Sequence, residues 1–342
     1  MPELRQDPVT GYWAVIATER AKRPESFTQE RKESVKSNAV CPFCYGNEAM
    51  TPPEVLAFRP DGGEPNTSHW KVRVVLNKFP AFTIEDKIKT SASNMLYGKQ
   101  KKSEIYANMP GLGIHEVIIS GPDHSKSLAL LNVDEVELII EAYRSRLLKI
   151  KDDQRIKHVL IIVNHGKEAG ASLEHPHSQL FGTTLIPRLV ADELDCSRRY
   201  FCEKGHCIFC DIIEEETKLG DRVIKESEHF LVFSPYASRQ PFETWIVPKN
   251  HSANFECISS AEKRDLAFML KDTLLKIYEG LNDSPYNYYL HTSPYRINSG
   301  EFYHWHIEIF PKLAIQAGFE MGSGMMINVV LPEGSARFLK NL

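Results

Sequence analysis

The feature that most constrains this chain is an internal repeat. The first half runs through "CPFC" (41–44), "SGPDHSKSL" with His124, a helical stretch, the β-like run "KHVLIIVNHG" and then "HPHSQ" (175–179). The second half runs in the same order through "CIFC" (207–210), "VPKNHSANF" with His251, a helical stretch, "YNYYLHTSP" and then "YHWHIEIFP". His124 and His175 are 51 positions apart, His251 and His304 53. Asn132 with Glu135, and Ser259 with Glu262, have the spacing of N-terminal capping boxes, each ahead of four to five turns of helical apolar periodicity. A chain repeating this many ordered features folds as two copies of one unit. Each copy is expected to be α+β, an antiparallel sheet with one long helix packed on it. The expected division is residues 1–195 and 196–342, its seam in the polar stretch 192–206. Residues 84–108 are polar and weakly periodic and are expected to form an exposed insertion or loop.

Composition narrows the class further. The 342 residues are 42% hydrophobic and 25% charged, with a net charge of -4, the balance of a globular protein. Such a charge leaves no broad basic footprint for nucleic acid or a membrane surface, although the local cluster "TERAKRPESF" suits phosphates. No apolar run is long enough to span a bilayer, and the N-terminus lacks a signal-peptide pattern. A cytoplasmic location is expected. In a reducing compartment two Cys-x-x-Cys pairs point to metal or redox chemistry before disulfides. Cys196, Cys202 and Cys257 are read as ordinary thiols.

Two thiolates and two imidazoles are a favoured tetrahedral zinc set, and a closed four-ligand site is structural. The first half offers Cys41, Cys44, His124 and His175; the second offers Cys207, Cys210, His251 and His304. A redox reading of the cysteines does not explain the histidine that tracks each pair, and one all-cysteine site would leave His124 and His251 without a role. In the second half His291 and His306 stand close enough in sequence to compete as ligands.

In an extended segment His175, His177 and Gln179 share one face. If His175 binds metal, His177 is fixed beside it with its lone pair free, a nucleophile near neutral pH. Gln179 can donate an amide hydrogen to a phosphate oxygen but cannot shuttle a proton. Upstream, "NHGKEAGAS" places Asn164, Gly166, Gly170 and Ser172 as donors able to wrap phosphates. Together these residues suit formation of a phosphoramidate on His177.

The ordered set "DPVTGYWAVIATERAKRP", "CPFC", "VLNKFPAF", "GPDHSKSL", "NHGKEAGASLEHPHSQ" and "QPFETWIVPKNH" resembles the galactose-1-phosphate uridylyltransferase family of the histidine-triad superfamily, over nearly the whole chain. The resemblance implies a duplicated histidine-triad (HIT-like) fold and ping-pong nucleotidyl transfer through a covalent histidine. It implies His177 as nucleophile, Gln179 as phosphate holder, Arg20 and Arg23 as phosphate contacts, and Asn77 as a nucleoside contact. Histidine-triad hydrolases have a third histidine where this chain has Gln179, which favours transfer over hydrolysis. In the better-known bacterial branch a glutamate and three histidines hold iron in place of the second Cys-x-x-Cys. Cys207 and Cys210 therefore favour zinc at the second site, with iron the alternative. Glu308 replaces the glutamine in the second half, so "HWHIE" reads as a non-catalytic copy. The C-terminal "AGFEMGSGMMINVVLPEGSA" is similar to the branch that includes plant ADP-glucose phosphorylase. Gly322 and Gly324 there suit either a small phosphate nest or a turn beside the core.

The expected activity is transfer of UMP from UDP-glucose to a hexose 1-phosphate, with galactose 1-phosphate as acceptor. The alternative is an ADP-sugar phosphorylase with AMP on His177 and inorganic phosphate as acceptor. A nucleotide-binding protein without turnover would be expected to have lost His177 or Gln179, and both are present. The expected partners are a nucleotide sugar and a sugar 1-phosphate or phosphate, with no nucleic acid and no membrane. The resemblance implies a homodimer.

Overall fold

The computed structural model describes residues 2–20, 40–84, 105–106 and 108–342. Most of the expected insertion at 84–108 lies outside these residues, as does Arg23. Thirteen strands are present among the described residues: β1 Glu3–Gln6, β2 Trp13–Ile16, β3 Glu54–Phe58, β4 Val72–Leu76, β5 Gly113–Ile119, β6 His158–His165, β7 His177–Thr183, β8 Val223–Glu226, β9 Phe230–Phe233, β10 Thr244–Pro248, β11 Tyr286–His291, β12 His306–Pro311 and β13 Met326–Asn328. The helices are α1 Val133–Lys151, α2 Arg188–Lys204, α3 Ile208–Leu219, α4 Ser260–Gly280, α5 Gly318–Ser323 and α6 Pro332–Lys340.

Ten strands form one sheet, in the order β3-β4-β5-β7-β6-β11-β12-β10-β9-β8. Every pairing in it is antiparallel. The two repeats therefore do not build separate sheets. They meet where β6 pairs with β11, from Tyr286 opposite His165 to Leu290 opposite Ile161. The seam region expected at 192–206 lies largely in α2, and a cut after residue 195 falls inside that helix. Outside the large sheet, β1 pairs with β2, and β13 lies parallel to β2.

Local chemistry sets both long helices. Asn132 accepts from the Glu135 N–H while the Glu135 carboxylate accepts from the Asn132 N–H, and Ser259 and Glu262 do the same for α4. The apolar stripes of α1 (Val136, Ile139, Ile140, Tyr143, Leu147) and α4 (Leu266, Met269, Leu270, Leu274, Ile277) cover one face of the sheet. Because strand side chains alternate, Leu180 and Ser178 of β7 face that helical layer while His177 and Gln179 face away from it. On the opposite face, Phe43, Trp70, Val117 and Ile119 form one small core, and Phe209, Phe233, Trp245 and Val247 form its counterpart in the second half. Both Cys-x-x-Cys segments pack there.

Candidate active site and metal centres

The four expected first-half ligands converge. The His175 Nδ1 lies 3.7 Å from Cys41 Sγ and 3.6 Å from Cys44 Sγ, and His124 Nδ1 lies 3.5 Å from Cys44 Sγ. His175 Nε2–H donates to the Gly121 carbonyl at 2.8 Å, which leaves Nδ1 as the bare nitrogen facing the sulfurs. The second half repeats this arrangement. There His251 and His304 present Nδ1 to Cys210 at 3.5 and 3.9 Å, and their Nε2–H groups donate to the carbonyls of Gly300 and Pro248. In each group the ligand atoms all lie within 4.8 Å of one another. A tetrahedral ion with bonds of about 2.0–2.3 Å needs its ligand atoms roughly 3.5 Å apart, so both groups fit a closed metal site.

A third group was not anticipated. Glu193, on α2, meets His291 and His306 with ligand atoms equally close. His291 and His306 thus do not join the Cys207 set. Glu193 accepts from the Tyr303 hydroxyl at 2.8 Å and lies 3.0 Å from His291 Nδ1. Burial alone would lower the His291 pKa, but the Glu193 and Glu308 charges raise it to about 9. The ring and the Glu193 carboxylate thus form a buried, mutually stabilising pair.

His177 is 7% exposed and opens β7. Its Nδ1–H donates to the His175 carbonyl at 2.9 Å, so Nε2 carries the lone pair. Burial lowers its pKa, opposed by that carbonyl. Phe43, from the Cys-x-x-Cys loop, packs edge-on against it with centroids 5.3 Å apart. The metal ligands and the candidate nucleophile are thus one rigid unit.

A pocket beside His177 is lined by Ser127, Asn164, Gly166, Ala171, His175 and Tyr286, among others. Asn164 Oδ1 accepts from Asn287 Nδ2 at 2.7 Å, and the same amide donates to the Ala169 carbonyl. Asn287 therefore fixes the expected phosphate loop from the other half. Gly166 takes a left-handed φ of 80°, and a Cβ there would come within 2.9 Å of the Pro285 ring, so only glycine fits. Gly170 also has positive φ, and both Gly170 and Ser172 are exposed at the loop's rim.

Gln179 is half-buried, with its carboxamide oxygen 2.9 Å from His115 Nε2. The nitrogen of the Asn77 carboxamide approaches the same ring nitrogen at 3.1 Å, so the phosphate-holding and nucleoside-contacting candidates share a neighbour. For Arg20 the backbone closes a short 3-10 turn, Thr18–Arg20. Gly322 is exposed within α5 and is not among the residues lining the pocket. Gly324 is the left-handed cap of that helix, and its N–H is bonded to the Glu320 carbonyl. Of the two alternatives, nest or turn, the backbone here forms a turn that ends the helix.

The second-half counterpart of the site is filled. His306 repeats His177, with Nδ1 3.1 Å from the His304 carbonyl, but Trp245 stacks on its ring at 5.2 Å, where the first half has Val117. Arg239 bridges Glu308 at 2.8 Å and Glu243 at 2.9 Å.

The molecule is thus a duplicated α+β sheet with one open and one filled copy of a buried histidine. The chain belongs to the galactose-1-phosphate uridylyltransferase family: residues 1–187 match "Galactose-1-phosphate uridyl transferase, N-terminal domain" and residues 193–326 its C-terminal domain. It is 36% identical to ADP-glucose phosphorylase of Arabidopsis thaliana, over 100% of this chain and 93% of that one. To galactose-1-phosphate uridylyltransferase of Thermotoga maritima it is 28% identical, over 99% and 98%. Among solved structures, the Arabidopsis thaliana ADP-glucose phosphorylase with bound ADP-glucose superposes with a TM-score of 0.82 at 36% identity, covering 100% of this chain and 99% of that one. A uridylyltransferase structure superposes at 0.75 with 26% identity, covering 100% and 98%.

Proposed function

We propose that this protein transfers a nucleoside monophosphate from a nucleoside diphosphate hexose to a phosphate-bearing acceptor through a covalent intermediate on His177. The observation that carries the reading is the His177 ring itself, which is buried, with Nδ1–H donated to the His175 carbonyl so that Nε2 carries the lone pair. In the first step the Nε2 lone pair attacks the α-phosphorus. The bond to the sugar phosphate breaks, and sugar 1-phosphate leaves with the electron pair. The His175 carbonyl stabilises the positive charge that develops on the ring. In the second step a phosphate oxygen of the acceptor attacks the same phosphorus and the N–P electron pair returns to Nε2. The acceptor oxygen is already ionised, so no external base is required. Positioning and aligned donors, Gln179 and Asn164 among them, supply the rate.

The donor and acceptor are read as UDP-glucose and a hexose 1-phosphate, in keeping with the family. One observation favours a second pair, ADP-glucose and inorganic phosphate: the relative with the higher full-length identity is a phosphorylase. Two zinc ions, one in each Cys₂His₂ set, would serve as scaffolding; the first would hold His175 and through it the His177 ring.

The test is intact-mass analysis after brief exposure to UDP-glucose or ADP-glucose alone. A single UMP or AMP adduct is expected on the parent and none on His177→Ala, and the adduct names the donor. An adduct surviving in His177→Ala would sink the covalent mechanism.

A further inference from the structure

We infer that His115 is a positioning residue that fixes the Gln179 carboxamide and ties it to the segment 77–81, which carries the expected nucleoside contact Asn77. The inference rests on the reading of His177 and Gln179 above. His115 lies on β5, 7% exposed, stacked on Phe181 across the strand pair with centroids 4.1 Å apart. At Nε2 the partners conflict, Gln179 Oε1 at 2.9 Å being an acceptor and the Asn77 amide nitrogen at 3.1 Å a donor, so the contact at Nδ1 decides the assignment and leaves the Asn77 nitrogen beside Nε2 without a hydrogen bond to it. The Ala81 backbone N–H, which can only donate, meets Nδ1 at 3.0 Å, so the proton is on Nε2. Nε2–H then donates to Gln179 Oε1 at 2.9 Å.

The consequence is directional. With its oxygen held by His115, the Gln179 carboxamide can turn only its NH₂ toward a phosphate oxygen on the His177 face. A free carboxamide could also present oxygen, which repels phosphate. The same residue anchors the neighbouring segment twice: its carbonyl accepts from the Asn77 N–H at 2.9 Å, and its ring accepts from Ala81. The Asn77 carboxamide oxygen is itself held by the Phe79 N–H at 2.8 Å. Segment 77–81 and the phosphate holder are therefore joined through one imidazole, and an ordered segment helps hold the Gln179 amide in its donating orientation.

The experiment is rapid-quench measurement of adduct formation in a cycle of parent, His115→Phe, Gln179→Ala and the double variant. Phenylalanine keeps the stack on Phe181 and removes both ring hydrogen bonds. Loss of one aligned donor to a reacting phosphate costs about 100-fold in rate, so that is the expected slowing for Gln179→Ala. His115→Phe is expected to slow formation about 10-fold or more and to raise KM several-fold. In the Gln179→Ala background it should slow the step no further, because its effect on rate runs through that amide. Independently of any variant, ¹⁵N spectra of the parent should show His115 as the Nε2–H tautomer. An unslowed His115→Phe, an equal slowing in both backgrounds, or an Nδ1–H ring would each overturn the inference. A parent that forms no adduct from either donor would overturn the nucleotidyl-transfer reading, and this inference with it.

Discussion

At position 308 a glutamate stands where the first half has Gln179, and its surroundings explain why the exchange was not neutral. Burial pushes the Glu308 carboxyl up, but Arg239 and His291 hold it well below the ordinary carboxylate range, so it is an anion locked to a cation. Restoring the glutamine does not restore a site, because Trp245 still covers His306. Glu308→Gln is expected to keep the adduct stoichiometry at one per chain. It should cost about 1–3 kcal/mol in urea unfolding, since Arg239 keeps Glu243 but loses its other anion. Two adducts per chain would show that the second site is only electrostatically silenced. Residue chemistry of this kind was partly legible in the sequence. His177, Gln179 and both Cys₂His₂ sets follow from local spacing and the repeat. The partners of Gln179, Asn164 and His291 lie 64, 123 and 98 positions away, at His115, Asn287 and Glu193, and no local pattern links them.

The elements carried the clearest sequence signal, because caps and helical periodicity are short-range. Both capping boxes form as the spacing of Asn132 to Glu135 and Ser259 to Glu262 requires. Asn132→Ala and Ser259→Ala are each expected to lower stability by about 1 kcal/mol and to leave adduct formation unchanged, measured by thermal melts and intact mass. A larger loss would mean that the caps also hold the packing of α1 on α4. Two stretches carried less signal, for a physical reason. The polar run at 192–206 is largely the amphipathic α2, whose inward residues Val190, Glu193, Leu194 and Ser197 are buried although two of the four are polar. A short Gly-rich run at 322–324 suits either a nest or a turn, and only the amide partner decides.

At the scale of the molecule, the β6–β11 pairing makes one sheet and one apolar layer of two repeats. The repeat set "YNYYLHTSP" as the counterpart of the β-like run "KHVLIIVNHG" but not as its partner, since a strand reads alike whether it ends a sheet or continues it. A shared layer predicts a single cooperative calorimetric transition, with neither half folding alone. Metal analysis should find about two equivalents of zinc per chain, and strong chelation should lower Tm sharply and abolish adduct formation. Full activity after complete metal removal would refute the scaffold role. The strand order reads the same outward from the β6–β11 seam on both sides, so the two repeats are related as the subunits of a closed twofold dimer are. In such a dimer of identical chains every substitution is made twice, and a change that fills one pocket fills both. Covalent fusion removes that constraint. One copy can exchange its pocket for Trp245 and the Arg239 ion pairs while supplying Asn287 to brace the other, a division of labour unavailable to identical subunits.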